Sequence, residues 1–334
     1  MLKFTEIGQL RNVIREVRTN HDYQGSDAED NPIYEHSSPY PKLTFRGTVK
    51  MHGTNSGIKK EYVGEYEVKY TFQSRERELE LNFDNAGFMN AMLNKDFEKL
   101  FDDIKFNNTC VIYGEWCGGT IQKTVALNQL EKMFVIFAIR IDGEYKNLED
   151  YKHIKNEAQR IYNILDFPTV YVDIDFNVPE LAQNKIIELT LAVEDECPVA
   201  KQLGATGIGE GIVFESHYNG HRYIFKSKGV KHQNSKVKTL KPVDDEKVGK
   251  CMEVAEQITP TWRLEQMLEA ACDTMNGGVI DRKHMGNYMK LVIADIQKED
   301  SDVIAEAGLE LKDVAKYVSE IAKAYFFEQE KLSL

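Results

Sequence analysis

The chain has 334 residues, 42% hydrophobic and 29% charged, the profile of a soluble globular protein long enough for two or three domains. A formal net charge of −12, from 54 acidic against 42 basic residues, speaks against a protein that coats nucleic acid through an overall basic field. Cysteines at 110, 117, 197, 251 and 272 form no CxxC pair, which argues against zinc or a disulfide framework. With no apolar run of membrane length and no signal-peptide core, the expected location is the cytosol.

In chain order, Ile7, Leu10, Ile14 and Val17 fall at helical spacing and predict an opening helix. Residues 19–42 are polar, carry Pro32, Pro39 and Pro41, and read as a long surface loop; its Tyr23, Tyr34 and Tyr40 either stack on bases or pack on the body. Strands are expected in KLTFRGTVKMHG (42–53) and YVGEYEVKYTFQSR (62–75). A helix over 88–103 would bury Phe88, Met92, Phe97, Leu100 and Phe101. NTCVIYGEWCGG (108–119) and KMFVIFAIRID (132–142) are near-continuous apolar strands of the buried kind. Helices near 149–165 and 178–194 flank a strand at TVYVDI (169–174), and GEGIVFES and HRYIFKSK form a hairpin around HYNG. After KPVDDE (241–246) four segments are amphipathic at helical period, beginning at Glu246, Pro260, Arg282 and Leu311. The expected division is an α+β body over 1–242 and an all-helical module over 243–334.

Four separated motifs carry candidate chemistry. The first is Lys50-Met51-His52-Gly53-Thr54-Asn55, a lysine where a hydrophobic strand runs into a turn. A nucleophilic lysine must be neutral, and an ordinary pKa of about 10.4 leaves only roughly one in a thousand so at neutral pH; burial and nearby cations raise that fraction. Gly53 would let the backbone pass close to a ligand. The second is Glu115, an acid ending a buried strand, where either a ligand or a salt bridge must satisfy it. The third is Glu210, heading the strand GIVFES and suited to a metal or a water. The fourth is the pair Lys226 and Lys228, which alternate on one strand and share a face. Two ammonium groups there call for an anion between them, phosphate above all, and would depress the pKa of a lysine beside them. Lys226 and Lys228 open a run to Lys241 with six lysines and no acid, either an anion-binding surface or a solvated basic loop. His217 and His221 have metal-like spacing but lack a third ligand and read as turn histidines; Phe134 and Phe137 are core or ligand, and Ala324-Tyr325-Phe326-Phe327 reads as the buried face of the last helix.

Taken in order, KMHGTN, Ser74-Arg75, YGEW, FVIF, EGIVF and FKSK resemble the covalent nucleotidyltransferases, the polynucleotide ligases and mRNA capping enzymes. His52, with Thr54-Asn55 after it, is similar to the phage-type RNA ligase 2 family, as is a helical tail in place of an OB domain. The resemblance spans residues 45–228. It implies an α+β, ATP-grasp-like nucleotidyltransferase domain of antiparallel sheets with flanking helices, and a small helical C-terminal domain that engages nucleic acid. It further implies an ATP-dependent RNA ligase, using Mg2+ or Mn2+, that joins 3′-OH and 5′-phosphate ends at nicks through lysyl-AMP, acting as a monomer in the cytoplasm, and it suggests a phage origin and hence a host-cell cytoplasm.

By the same resemblance Lys50 attacks ATP, with Met51 beside it in the nucleotide site. Arg75 contacts the nucleotide or the 5′-phosphate, Glu115 the ribose, Phe137 the adenine. Glu210 supports the metal, Lys226 and Lys228 hold phosphates, and His52 and Asn55 act in strand joining. Lys231, Lys236, Lys238, Arg263 and Asp295 are implied as nucleic-acid contacts. Two positions depart from the pattern: Val49 stands where the family can place an acid, and Glu215 where relatives carry a lysine. A DNA ligase, a GTP-dependent capping enzyme and a non-catalytic RNA-binding module remain as alternatives.

Overall fold

Two antiparallel sheets organise the first part of the chain, and the segment joining them carries Lys50. The computed structural model describes all residues except 36–38, 65–66, 233–239, 275–277 and 334. The chain divides into two compact units, one of Met1–Val17 and Lys42–Lys241, the other of Arg18–Pro41 and Pro242–Leu334.

The opening helix α1 (Leu10–Asp22) buries Leu10, Val13 and Val17. Where a loop was expected, β1 (Tyr23–Ser26) and β2 (Pro32–Tyr34) form a small hairpin, with Tyr23 and Tyr34 exposed and facing each other at 5.8 Å. Tyr40 is not available for stacking in the same way: its hydroxyl donates to Asp22 and its ring lies under Arg18.

Next come β3 (Lys42–Val49), β4 (Thr54–Tyr62), β5 (Val68–Ser74), the short helix α2 (Phe88–Leu93) and β6 (Thr109–Cys117). After them follow β7 (Met133–Ile141), β8 (Glu144–Tyr145), β9 (Ile161–Asn163), β10 (Thr169–Asp175), α3 (Gln183–Asp195), α4 (Pro198–Gln202), β11 (Gly211–Tyr218) and β12 (His221–Lys228). One sheet has the order β10-β3-β11-β12; the other runs β5-β4-β6-β7-β8, with β9 added parallel to β7. β6 and β7 are mostly apolar because both faces are largely covered. Phe134 and Trp116 pack against Phe88 on one side, and Tyr113 and Phe137 against Phe4 on the other. Phe134 is therefore core. The β11–β12 turn is Asn219-Gly220, a two-residue hairpin turn inside the expected HYNG.

Two expectations fail here. Residues 149–165 hold 3₁₀ turns and β9 instead of a helix, and 88–103 splits into α2 and a 3₁₀ turn at Phe97–Phe101. In the first stretch, Asn156, Asn163 and Asp166 supply local turn and cap bonds that compete with a continuous helix.

In the second unit α5 (Asp245–Ile258), α6 (Thr261–Cys272), α7 (Met285–Glu299), α8 (Ser301–Glu306) and α9 (Leu311–Leu332) follow the expected periods, α8 being unforeseen. Val314, Val318, Ala322 and Phe326 recur every fourth residue along α9 and are buried, as are Tyr288, Val292 and Ile296 on α7. Of Ala324–Phe327 only Phe326 is fully buried. Arg263, implied as a nucleic-acid contact, is instead 4% exposed. Its Nε lies 2.8 Å from Asp295 and its Nη1 2.6 Å from Asp300, with a further bond to the Ile258 carbonyl. A phosphate would have to displace two carboxylates to reach it, so Arg263 and Asp295 serve the interior of this unit.

Replacing Arg263 with alanine removes the cation between two part-buried acids. The expected loss is about 3 kcal/mol of stability, read by urea unfolding followed by helical circular dichroism. An unchanged midpoint would contradict the structural role.

Candidate active site

Lys50 is the first residue past β3, and Lys50–Gly53 carries the chain from the four-stranded sheet into β4 of the six-stranded one. Its N–H donates to the Gly211 carbonyl at 2.8 Å, adding one rung to the β3–β11 ladder and fixing where the side chain starts. Thr54 and Asn55, expected in a turn, are the first residues of β4. A Cβ on Gly53 would lie 2.3 Å from the Trp116 carbonyl oxygen and 2.7 Å from Cβ of Cys117. Glycine is required there by the approach of the protein's own strand β6 rather than by a ligand. That approach also lets the Gly53 N–H donate to Glu115 Oε1 at 3.0 Å.

Between the sheets lies a cleft of about 390 Å³, lined among others by Lys50, Arg75, Glu115, Phe137, Glu210 and Lys226. This volume suits a small molecule. Met51, His52 and Asn55 line it too, Met51 with its side chain buried. Phe137 arrives by a backbone irregularity: Tyr113 pairs with Ala138 and Gly114 with Ile136, leaving Phe137 as an extra residue on β7. Such a bulge re-aims a side chain.

Glu210 is the electrostatic centre. Its side chain is 1% exposed, and it accepts from Lys50 Nζ (2.8 Å) and His52 Nδ1 (2.7 Å) on Oε2 and pairs with Lys228 Nζ (2.7 Å) on Oε1. Burial works against its charge. The His52 hydrogen bond, the Lys50 charge and the Lys228 and Lys50 hydrogen bonds outweigh that and hold the carboxyl well below the usual range. His52 is oriented from its other nitrogen by Thr124 Oγ1 at 3.3 Å. Among the described residues no cluster of three His, Cys, Asp or Glu could cage a metal.

Of the lysines at the cleft, the one whose pKa is pushed down is Lys226. Burial is the main cause, followed by the charges of Lys228 and Lys50, with Glu6 opposing. Lys226 and Lys228 thus sit close together, as their alternation implied, whereas the nearest partner of the Lys50 amine is a carboxylate. Arg75 is exposed at the cleft, with Glu76 3.8 Å from its Nε. Lys231 is exposed, its N–H donating to the buried Glu194; Lys236 and Lys238 lie outside the described residues.

Several lining residues had no signal in the sequence. The N-terminal stretch Phe4–Ile7 forms one wall. Glu215, anticipated only as a departure, lines the cleft and pairs with Arg222 (Nε at 2.9 Å) and with His217 at 2.8 Å. His217 is therefore bound to a carboxylate and is not a simple solvated turn residue. These contacts join strands across a hairpin or residues far apart in sequence, where periodicity is silent.

Burial raises Glu115 to about 7; Lys50 lowers it, Glu210 raises it, and the Gly53 N–H and Arg75 lower it. The folded protein therefore holds this proton between the usual 4.5 and about 7, where the unfolded chain has lost it. The stability tied to the protonated form is complete below 4.5 and is lost as pH rises through 7. Glu115→Gln, which keeps an acceptor for Gly53, should gain on the wild type by about 2–3 kcal/mol between pH 4.5 and 8.5. Thermal melts of both proteins across that range check it; a difference independent of pH would refute the shift.

A family model described as RNA ligase matches residues 43–228. The chain is also similar to solved structures of an RNA ligase from Naegleria gruberi. The complex with pyrophosphate is 18% identical with a TM-score of 0.44, covering 70% of this chain and 57% of that one. A mutant of that ligase with AMP and manganese gives 16%, 0.45, 70% and 57%; another with ATP and manganese gives 17%, 0.45, 70% and 57%. This chain thus spans 57% of the length of those ligases. No curated protein matches it.

Proposed function

The chain belongs to the RNA ligase family, and we propose that it is an ATP-dependent RNA ligase that seals 3′-OH and 5′-phosphate ends, preferentially at nicks in duplex RNA or RNA/DNA hybrids. The observation that carries this reading is convergence. Lys50, Arg75, Glu115, Phe137, Glu210 and Lys226, from six separated stretches of sequence, line one cleft, and Lys228 reaches it through Glu210.

In the first step Lys50 Nζ, having given up a proton to water, attacks the α-phosphorus of ATP. A P–N bond forms, the bond to the bridging oxygen breaks, and pyrophosphate leaves with the electron pair. The Glu210 carboxyl, held so far below its usual range, is a poor proton acceptor; its part is to hold the amine in place. Lys226, Lys228 and Arg75 neutralise phosphate charge, Glu115 accepts from the ribose, and Phe137 offers a ring to the base. A divalent cation suits the oxygen donors of Glu210 provided the triphosphate completes its shell, since the described residues make no cage. Such a cation would neutralise charge on the phosphates.

In the second step AMP passes from Lys50 to the 5′-phosphate of the nick. In the third the 3′-OH attacks that phosphate and AMP departs. His52 and Asn55, at the cleft beside Lys50, serve these later steps. The helical unit and the basic run from Lys231 to Lys241 engage the nucleic-acid backbone, which makes sealing sensitive to salt.

Incubation with α-labelled ATP and magnesium should label the protein, and Lys50→Ala should abolish the label. Persistence of the adduct in that variant removes Lys50 from the mechanism. Label from GTP alone favours a capping-type enzyme, and salt-dependent RNA binding with no adduct favours a non-catalytic module.

A panel of nicked duplexes with ribose or deoxyribose on each side should show fastest sealing where the 3′-OH strand is RNA. Equal sealing of all-DNA nicks would instead indicate a DNA ligase.

A further inference from the structure

One face of the four-stranded sheet turns to the cleft, and strand alternation says which side chains share it. On β11 they are Val213, Glu215 and His217, on β12 Lys226, Ile224 and Arg222, and on β3 Thr48. Val213 lies opposite both Lys226 and Thr48, and Glu215 opposite Ile224. All of these except His217 line the cleft. The face is graded along the strands: Lys226 near Lys50 at one end, then Val213, Ile224 and Thr48, then the Glu215–Arg222 pair. From Lys226 to Arg222 is four residues, about 13 Å of strand, which is roughly the reach of a nucleoside monophosphate from phosphorus to the far edge of its base.

The pair is nearly buried, Glu215 at 12% and Arg222 at 11% side-chain exposure, yet it has capacity left. Oε1 of Glu215 accepts from His217 and from Arg222 Nε; among the described residues Oε2 accepts only from Nη2 at 3.2 Å and Nη1 makes no hydrogen bond. The guanidinium is backed by the Tyr145 and Phe4 rings at 4.5 and 5.7 Å, which fixes its plane. An apolar pair of similar size would wall the cleft at no loss of stability, because a buried ion pair gives little net gain. Val49, next to the lysine, has no polar side chain with which to read a base.

We infer that Glu215 and Arg222 are the specificity-determining residues for the base, reading the 6-amino edge of a purine. Oε2 accepts from the exocyclic amine, and Nη1 donates to the neighbouring ring nitrogen. A 6-oxo purine presents acceptor and donor in the reverse order. The assignment rests on the ATP reading above.

Adduct formation on the full chain is measured with ATP, GTP and the 6-desamino purine nucleoside triphosphate. Wild type should prefer ATP to the desamino analogue by ~10- to 100-fold in kcat/KM, mostly through KM. The double variant Glu215→Leu with Arg222→Met leaves no charge unpaired, and its ratio of ATP to analogue should fall towards one. Because each ratio is taken within one protein, partial loss of folded material does not affect it. Equal use of ATP and the analogue by wild type overturns the inference without any variant, as does a double variant that keeps the wild-type ratio. Adduct from GTP and none from ATP overturns the ATP reading itself.

Discussion

The Glu210 carboxylate, buried and gripped by Lys50, His52 and Lys228, is the interaction on which the cleft depends. A carboxylate removed from water is costly unless charge and hydrogen bonds replace the solvent. Here the replacements come from two places: the link between the two sheets, which supplies Lys50 and the His52 imidazole that Thr124 holds from behind, and the end of β12, which supplies Lys228. One acid therefore ties together segments that are 160 residues apart. The sum of charge also matters. Two ammonium groups against one carboxylate leave a positive excess, to which Lys226 and Arg75 add, inside a chain whose net charge is −12. Around Glu210 the balance is thus opposite in sign to that of the whole chain, with Glu6, Glu115 and Glu215 on the same lining offsetting part of it; under the proposed function this excess would draw phosphates inward.

Backbone features rather than side-chain chemistry deliver the remaining groups. Gly53 allows the sheet-to-sheet link to press against β6, and the same contact gives Glu115 its hydrogen bond. The extra residue on β7 turns Phe137 towards the cleft while Phe134, three positions earlier, stays in the core with Phe88. Glu115 and Glu210 show how one cleft sets two carboxyls apart. Glu210 has three donors, two of them ammonium groups, and stays ionised, whereas Glu115 has one N–H and a more distant lysine, so burial prevails and its pKa rises to about 7.

Legibility in the sequence followed the range of the interaction. The apolar runs of β6 and β7 and the four-residue repeat of α9 are local patterns, and they were readable. So was the shared face of Lys226 and Lys228, which follows from period two alone. The helix expected at 149–165 failed because side chains such as Asn163 capture nearby backbone groups, which periodicity does not register. Arg263 was implied as a nucleic-acid contact by resemblance alone, and a sequence position does not say whether carboxylates already surround the side chain. The hairpin of β1 and β2 lay in a polar, proline-bearing stretch that carries no alternation to detect. At the site itself, the motif resemblance pointed to Lys50 and Glu210, but not to their direct pairing, since that contact joins the ends of two neighbouring strands that lie 160 residues apart in sequence.

A parity problem on β11 explains why a glycine follows Glu210. Val213 and Glu215 face the cleft, so alternation assigns Gly211 to the same face and Glu210 to the opposite one, with Ile212 and Phe214 in the core. An acid on that core face would be buried without partners. Gly211 removes the conflict by adopting φ +149°, where a Cβ would lie 2.1 Å from the Ser227 carbonyl oxygen. The alternation is broken at that residue, and Glu210 swings back to meet Lys50 and Lys228. A larger residue at 211 would have to restore ordinary strand geometry, and doing so would send the carboxylate into the core. The Glu-Gly pair is therefore a single device. The glycine decides which side of the sheet the charge is on, and the charge decides where Lys50 is held.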